Sequence, residues 1–195
     1  RLVGVIQRAA AEVQTSRPGG APLVVGDLSH RYGGQTERHR SHRSGRDVDL
    51  LFYVTTPRGV PVRSPGFIKF STDGLGTTEG KKVYRFDVER NWTLVRALLD
   101  DEDVQWVFVA RPLEALLIEH AMALGEPLDL LYRAETVMRQ PGDSAPHDDH
   151  FHVRLACTVE EMVAGCEGGP RWPWQPKLEP LSLSDAELLA ALFED

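Results

Sequence analysis

The sequence predicts an α+β fold, because helical and strand-like segments intermix along the chain without the regular strand–helix–strand rhythm of a parallel sheet. The length, 195 residues, corresponds to one domain of ordinary size. The composition, 42% hydrophobic and 26% charged, is that of a globular protein and excludes disordered and fibrous classes. We expect a principal domain at residues 1–165 and a Pro- and Trp-rich C-terminal extension at 166–195, packed on the same domain.

The first 82 residues predict one helix, two strands and two loops. Apolar residues recur at three- and four-residue steps over residues 2–14, which indicates an amphipathic helix. A short strand at 23–25 leads into a long loop at 26–46. Residues 47–55 are rich in β-branched and aromatic side chains and predict a second strand. Residues 57–82, rich in Pro and Gly, are expected to form a long irregular excursion.

The remainder alternates helices and strands. The expected helices lie at about 88–99, 113–124 and 128–139, and the expected strands at 104–110 and 150–155. Pro112 suits the first turn of the second of these helices, and Gly125 ends it. Residues 168–180 predict irregular chain packed over the body, and a capping box at Ser184 predicts a last helix reaching Phe193.

Charge and hydropathy argue against two classes of protein. The 29 acidic and 22 basic residues give a net charge of −7, which disfavours a general nucleic-acid binder. No run approaches 18 apolar residues, so no membrane span is expected. Because residue 1 is Arg and not Met, we expect a processed or trimmed chain. The sequence carries no signal of the oligomeric state.

Five of the seven histidines fall into two short segments, an arrangement that favours a metal site. They are His147, His150 and His152 in one segment and His39 and His42 in the other. Polar and apolar residues alternate over 150–155, so His150, His152 and Arg154 are expected on one face of a strand. A solvated strand face is an equally good interpretation of that alternation alone.

The earlier segment adds carboxylates to its histidines. Asp49 follows His42 by seven positions, and the turn at Gly45 lets the two side chains converge. Neutral imidazole and carboxylate together suit Zn²⁺. A phosphate-binding patch is the alternative interpretation, based on Arg38, Arg40, Arg43 and Arg46. It is disfavoured because it would place the anions Asp47 and Asp49 beside a phosphate.

The two cysteines, Cys157 and Cys166, lie nine positions apart and outside any CxxC motif. A disulfide between them would close about ten residues and contribute about 2.5–3 kcal/mol by the chain-entropy model. Two free, buried thiols fit the spacing equally well, so spacing alone leaves the pairing open.

Two motifs far apart in the chain form one known pattern. His-x6-Asp at His42 and Asp49, followed by His-x-His at His150 and His152, resembles the metallopeptidase group of lysostaphin, D-Ala-D-Ala carboxypeptidases and Sonic hedgehog. A closer likeness, over roughly residues 20–160, is to the penicillin-insensitive murein endopeptidases of bacteria. It rests on Gly26-Asp27-Leu28-Ser29, Gly33-Gly34, the run from His39 to Asp49, Arg90-Asn91-Trp92, and the run from His147 to Cys157.

The resemblance implies a fold of the hedgehog and D,D-peptidase type, in which helices and long loops flank a small antiparallel sheet that carries a zinc site. It implies a Zn²⁺ ion bound by His42, Asp49 and His152. It also implies that the catalytic residues are His150, His147 and His39. The sequence departs from the family pattern at Asp148-Asp149 and at Thr158, where proline is expected.

Three protein ligands would leave a fourth position for water, as in catalytic zinc sites. The chain has no HExxH motif, so His150 is expected to act as general base. His147 or His39 would stabilise the oxyanion or orient His150.

Further polar residues are expected to support this centre. Asp47 and Asp27 could hold ligand imidazoles in the correct tautomer, although Asp27 could equally cap a turn. Arg154, like Arg40, Arg43 and Arg46, could bind a substrate carboxylate or simply carry surface charge.

The function implied by the resemblance is a zinc-dependent D,D-endopeptidase that hydrolyses D-Ala–diaminopimelate peptide cross-links of peptidoglycan. The residues by themselves indicate only metal-assisted amide hydrolysis. Peptidoglycan stem peptides would be the partners and the location periplasmic or secreted in a bacterium, which favours the Cys157–Cys166 disulfide. The alternatives are a D,D-carboxypeptidase or dipeptidase on the same fold and a non-catalytic, hedgehog-like zinc-containing binding module.

Overall fold

Two β-sheets and five helices make up the described part of the chain, which confirms the predicted α+β fold. The computed structural model describes residues 1–29, 33–35, 39, 41–163, 165–166, 168–178 and 184. The helices are α1 (Leu2–Ser16), α2 (Val88–Leu99), α3 (Arg111–Leu124), α4 (Leu128–Val137) and α5 (Val159–Val163). The strands are β1 (Val25–Leu28), β2 (Asp47–Leu51), β3 (Val54–Thr55), β4 (Pro61–Val62), β5 (Leu75–Thr77), β6 (Val83–Phe86), β7 (Val104–Phe108), β8 (Met138–Arg139) and β9 (His150–Leu155).

The helix ends follow from local chemistry. The side chain of Asp87 caps α2 by accepting a hydrogen bond from the backbone N–H of Arg90. Pro112 lies in the first turn of α3, and Gly125 ends that helix in the left-handed conformation with φ of 72°. The apolar stripe of α1 is buried, as the spacing of its residues predicts. The predicted helix that begins at Ser184 lies outside the described residues.

The larger sheet has five strands in the order β1-β2-β9-β7-β8. Its strand pairs are antiparallel except for β7 and β8, which are parallel. The smaller sheet has four strands in the order β4-β3-β6-β5. Helices α1 to α4 and both sheets enclose one apolar core, in which Leu50, Trp92 and Phe151 are almost completely buried.

Two sequence predictions were wrong in extent. Residues 47–55 form two strands in different sheets, β2 and β3. The strand is interrupted because the backbone of Tyr53 is hydrogen-bonded to the buried side-chain amide of Asn91 and not to a neighbouring strand. That amide accepts from the Tyr53 N–H at 2.9 Å and donates to the Tyr53 carbonyl at 2.8 Å. The excursion at 57–82 is not wholly irregular, since it contains β4 and β5.

The other differences are shifts of boundary. The predicted strand at 23–25 is displaced to β1, and the helix predicted at 128–139 ends at Val137, where the chain passes directly into β8. The strand β6 was not predicted. Strands of two to four residues are too short to show a hydrophobic period, so pairing with neighbouring strands decides them.

Residues 168–178 lie against β7. The indole N–H of Trp172 donates to the carbonyl of Gln105 at 2.8 Å, and the Gln105 side chain donates to the carbonyl of Pro170 at 2.8 Å. A disulfide joins Cys157 to Cys166 and closes a short loop just before this segment. None of the helices in the described ranges is long and apolar enough to cross a bilayer.

Candidate metal centre and active site

The centre of the larger sheet carries acidic and imidazole side chains on one face. In the register between β2 and β9, Asp47 lies opposite Arg154 and Asp49 lies opposite His152. Intervening residues such as Val48 and Val153 point into the core and are almost fully buried. The alternation predicted for 150–155 therefore places the polar side chains on the face away from the core.

His42 reaches this face from the loop that precedes β2. Gly33 precedes His42 in this loop and has a φ of +72°. A Cβ atom at Gly33 would lie 2.6 Å from the carbonyl oxygen of Arg43. Only glycine fits that approach. The N–H of Gly34 donates to the same carbonyl at 2.9 Å, and the N–H of Gly45 donates to the Ser29 hydroxyl at 3.0 Å. These contacts hold the loop so that the His42 ring is completely buried.

Asp49 is the point on which the imidazoles converge. Its Oδ1 atom lies 3.3 Å from Nε2 of His42, 3.3 Å from Nε2 of His150 and 3.7 Å from Nδ1 of His152. Its Oδ2 atom lies 3.7 Å from Nε2 of His39. Two predicted histidine segments, more than 100 positions apart, thus meet at one carboxylate.

Two further carboxylates each orient one of these rings. Nε2 of His152 is hydrogen-bonded to Oδ1 of Asp47 at 2.8 Å, and the same oxygen accepts from Nε of Arg154 at 2.7 Å. Nδ1 of His150 lies 2.5 Å from Oδ1 of Asp149.

The outer part of the cluster is built in the same way. Nε2 of His39 lies 2.9 Å from Oδ2 of Asp27, and its ring stacks on His42 with centroids 4.1 Å apart. His147 has both its backbone N–H and its Nδ1 directed at the side-chain oxygen of Gln140, at 2.8 and 3.4 Å. Asp47 therefore lies beside His152, one of the predicted ligand imidazoles, whereas Asp27 lies beside His39, which was predicted as a catalytic residue and not as a ligand.

The electrostatic environment differs from ring to ring. Burial favours the neutral form of His150, but the hydrogen bond to Asp149 and the negative charge of Asp49 outweigh it and raise its pKa to about 9. Burial, together with repulsion from His150 and His152, lowers the pKa of His147 to about 4. Burial also lowers the pKa of His152, despite its bond to Asp47.

The carboxylates remain ionised. Burial by itself would raise the pKa of Asp49, but the imidazoles of His150 and His42 hold it well below its usual range. For Asp47 the same penalty of burial is outweighed by the bond to His152 and by the charge of Arg154, so its pKa is also lowered.

The deepest atoms of the cluster fit a cation. Neither ring nitrogen of His42 and neither oxygen of Asp49 has a hydrogen-bond partner among the described residues, although all four atoms are buried. Buried polar atoms without partners are costly, and a metal ion would satisfy them. Two sets of three side chains have ligand atoms within 4.8 Å of one another: His39, His42 and Asp49, and His147, His150 and His152.

The arginines separate into different roles. Arg46 is buried and donates to the carbonyl of Leu155 at 2.7 Å, so it braces the sheet. Arg43 is exposed, and Arg40 lies outside the described residues. Arg154 lines a groove that opens over the histidine cluster.

A groove of about 680 Å³ opens over the histidine cluster. His39, His147, His150 and His152 line it, together with several residues that sequence reasoning did not select: Lys69, Trp106, Phe108 and Arg139. The alternation of Trp106 and Phe108 on β7 was a signal that could have indicated a shared face. Arg139 gave none, because its segment was interpreted as the end of a helix.

Fold and site together define a class of α+β proteins in which a groove leads to a candidate metal centre of histidine and aspartate. The family model described as penicillin-insensitive murein endopeptidase matches residues 1–174, and the chain belongs to that family. This confirms the resemblance inferred from the motifs.

Curated relatives carry the same description. Proteins named penicillin-insensitive murein endopeptidase from Escherichia coli O139:H28, Escherichia coli strain K12 / DH10B and Shigella boydii serotype 18 are each 28% identical to this chain over 178 residues. The matched region covers 88% of this chain and 57% of each relative. The chain thus spans a little over half the length of these relatives.

Proposed function

We propose that the chain is a zinc-dependent D,D-endopeptidase that hydrolyses D-Ala–diaminopimelate cross-links of peptidoglycan. The observation that carries the proposal is the pair His42 and Asp49, whose buried polar atoms lack hydrogen-bond partners in the described part of the chain and face the histidines of β9. Membership of the murein endopeptidase family supports the substrate class.

The proposed zinc ligands are His42, Asp49 and His152. In a tetrahedral site with bonds of about 2.0–2.2 Å, neighbouring ligand atoms are about 3.3–3.6 Å apart. The separations from Asp49 Oδ1 to His42 and His152, 3.3 and 3.7 Å, are close to that range. His152 has a lowered pKa, and a neutral imidazole is the form that binds a metal.

His150 is equally close to Asp49, at 3.3 Å, but its position suits a different role. Both β9 histidines line the groove, but the His150 side chain is the more exposed of the two, 14% against 9% for His152, and His42 and Asp49 are completely buried. A residue that transfers protons must reach the substrate, so we assign His150 to catalysis and the deeper side chains to the metal.

When bound, the zinc ion would polarise the scissile carbonyl and lower the pKa of a water molecule. With a cation at Asp49, His150 would lose the contact at 3.3 Å that helps to raise its pKa, and the neutral ring would be favoured. Nε2 of neutral His150 would then take the proton of the attacking water and deliver it to the leaving amine. The carboxylate of Asp149 holds Nδ1 of the same ring, which fixes its orientation for both transfers.

The auxiliary histidines would position groups around this centre. His147 is neutral at pH 7, and its Nδ1 points at the side-chain amide oxygen of Gln140, which leaves Nε2 as a hydrogen-bond acceptor. An acceptor at Nε2 can orient His150 or a water molecule by accepting a hydrogen bond from it. It cannot donate a hydrogen bond to an oxyanion. His39, which is bonded to Asp27 and stacked on His42, would hold the inner ligand in place.

We place the protein in the periplasm or outside the cell, where peptidoglycan lies. The Cys157–Cys166 disulfide supports an oxidising compartment.

The test is digestion of purified dimeric muropeptides with zinc-loaded protein, followed by mass spectrometry of the products. The proposal expects two monomeric muropeptides, loss of cleavage on chelation, and a 10²- to 10⁴-fold lower rate for His150→Ala. His120→Ala is the matched control, because His120 lies on α3 outside the groove. Unchanged cleavage by His150→Ala would remove the proposed base.

The same experiment separates the alternatives. Release of single amino acids or dipeptides from stem ends would indicate a carboxypeptidase or dipeptidase. Stoichiometric zinc with no turnover of any muropeptide would favour a hedgehog-like binding module.

A further inference from the structure

The groove extends beyond the histidine cluster along the face of the larger sheet. In the antiparallel register of β7 and β9, Phe108 lies opposite His152 and Trp106 lies opposite Arg154. In the parallel register of β7 and β8, Phe108 lies beside Arg139. The sheet thus presents imidazoles, then aromatic rings, then a guanidinium in successive strands.

Both arginines lie over aromatic rings with donors left for a ligand. The Arg139 guanidinium is 4.9 Å from the centroid of the Trp106 ring, and no described residue accepts a hydrogen bond from it or pairs with it in a salt bridge. The Arg154 guanidinium is 5.4 Å from the centroid of Phe108 and uses Nε to bond Asp47. Among the described residues, its terminal nitrogens have no partner.

The rings of Trp106 and Phe108, which form the floor of this part of the groove, are held in place by neighbouring aromatic side chains. Trp106 is buried, stacks on Phe108 at 5.9 Å and meets the edge of Trp172 at 4.8 Å between centroids. The hydrogen bond from Trp172 to the carbonyl of Gln105 anchors that neighbour. A fixed ring surface under a guanidinium restricts its motion, and so lowers the entropy lost when it binds an anion.

The charge of the groove favours an anionic ligand at this end. Lys69, Arg139 and Arg154 line it against Asp143 and Asp149. Asp149 pairs with Nδ1 of His150 at 2.5 Å and with no arginine among the described residues. Planar guanidinium groups bind carboxylates through paired, charge-assisted hydrogen bonds.

We propose that Arg139, on its Trp106 platform, forms with Arg154 a subsite for a carboxylate of the substrate peptide. The inference rests on the proposed function and adds a specificity-determining residue to it. Because β8 is two strand spacings from β9, about 10 Å, the carboxylate bound by Arg139 would lie two or three residues from the scissile bond in an extended peptide.

Equilibrium binding to a peptidoglycan stem tetrapeptide tests the subsite without depending on turnover. Calorimetry compares the peptide with free carboxylates and the same peptide with its carboxylates amidated, using zinc-loaded protein. We expect the free form to bind about tenfold tighter to wild type, and Arg139→Gln to remove most of that difference. Arg139→Lys should retain only part of it, since an ammonium lacks the planar fork.

Arg85→Gln is the matched control. Arg85 is an exposed arginine on β6 in the smaller sheet, outside the groove, and loses the same charge. It should keep the tenfold preference.

The outcomes separate the two proposals. If wild type cleaves cross-linked muropeptides but Arg139→Gln keeps the full preference for free carboxylates, the subsite is wrong and the proposed function stands. If wild type neither binds the tetrapeptide nor cleaves muropeptides, the proposed function fails and the subsite with it.

Discussion

The imidazole of His152 bridges two buried aspartates, with Nε2 at 2.8 Å from Asp47 and Nδ1 at 3.7 Å from Asp49. One nitrogen is therefore committed to an orienting carboxylate and the other faces the candidate metal position. Such a carboxylate–histidine pair fixes the tautomer and the ring angle of a metal ligand. This geometry supports the proposal that Asp47 would orient His152 as a metal ligand.

Replacing Asp47 by Asn is expected to weaken zinc binding by about 10- to 100-fold, because the amide keeps the shape of the carboxylate but not its charge. Competition with a chelating indicator at fixed pH measures the affinity. Asp143→Asn removes the same charge from an exposed side chain of the groove and should leave the affinity unchanged. Equal zinc affinity for Asp47→Asn and wild type would contradict the role assigned to this aspartate.

A second prediction concerns Gly26, which lies under Phe67. A Cβ atom at Gly26 would be 2.8 Å from Cζ of Phe67, and the Phe67 ring packs edge-on against His150 at 5.3 Å between centroids. Gly26→Ala should therefore displace Phe67 from His150 and lower the rate of muropeptide cleavage several-fold, with the fold retained.

The double variant tests this cause. In a Phe67→Ala background, most of the effect of Gly26→Ala should disappear, since the ring that it displaces is absent. Full additivity of the two changes would show that Gly26 acts through another contact, such as the Asp49 carbonyl at 3.2 Å.

The disulfide is expected to contribute to stability. Replacing both Cys157 and Cys166 by Ser should lower the free energy of unfolding by about 2.5–3 kcal/mol, the entropy of closing a loop of about ten residues. Urea denaturation measures the change. Reductant should destabilise wild type by a similar amount and have no effect on the double variant. A variant as stable as oxidised wild type would overturn the prediction.

Glu114 should impose a pH dependence on stability. Burial raises its pKa, and the nearby Arg111 only partly offsets that rise. Because the folded pKa lies above the unfolded one, the stability that Glu114 contributes is present below about pH 4.5 and is lost as pH rises through the folded pKa.

Glu114→Gln removes the titration, so relative to wild type it should be more stable at pH 7 than at pH 4. Urea unfolding of both proteins at the two pH values measures the difference. A relative stability that is the same at both values, or that falls with pH, would contradict the assignment.

Much of the fold could be predicted where one segment carries its own signal. Helix α2 and strand β9 have the predicted bounds, because a capping residue and a clean alternation mark them locally. The division of residues 47–55 between two sheets could not be predicted, because it depends on Asn91, which reaches Tyr53 from a helix 38 positions away.

The same distinction applies to the site. His42, Asp49, His150 and His152 could be selected from sequence because their residue types and spacings are unusual. Arg139 could not, since a lone arginine has ordinary roles in most positions. The alternation of Trp106 and Phe108 indicates a shared face of β7 but not that this face lines a groove beside Arg139. The proximity of Arg139 to this face depends on β7 and β8 pairing in parallel, a long-range contact.

By itself, the sequence determined the α+β class, the positions of helices α1 to α4 to within about two residues and the residue types that could bind a metal, because these depend on neighbours within a few positions. Only the tertiary structure decided which atoms converge on Asp49 and which side chains form the floor of the groove. Those distances depend on strand pairing between residues that are far apart in the chain, and burial then leaves Asp49 and His42 without hydrogen-bond partners among the described residues.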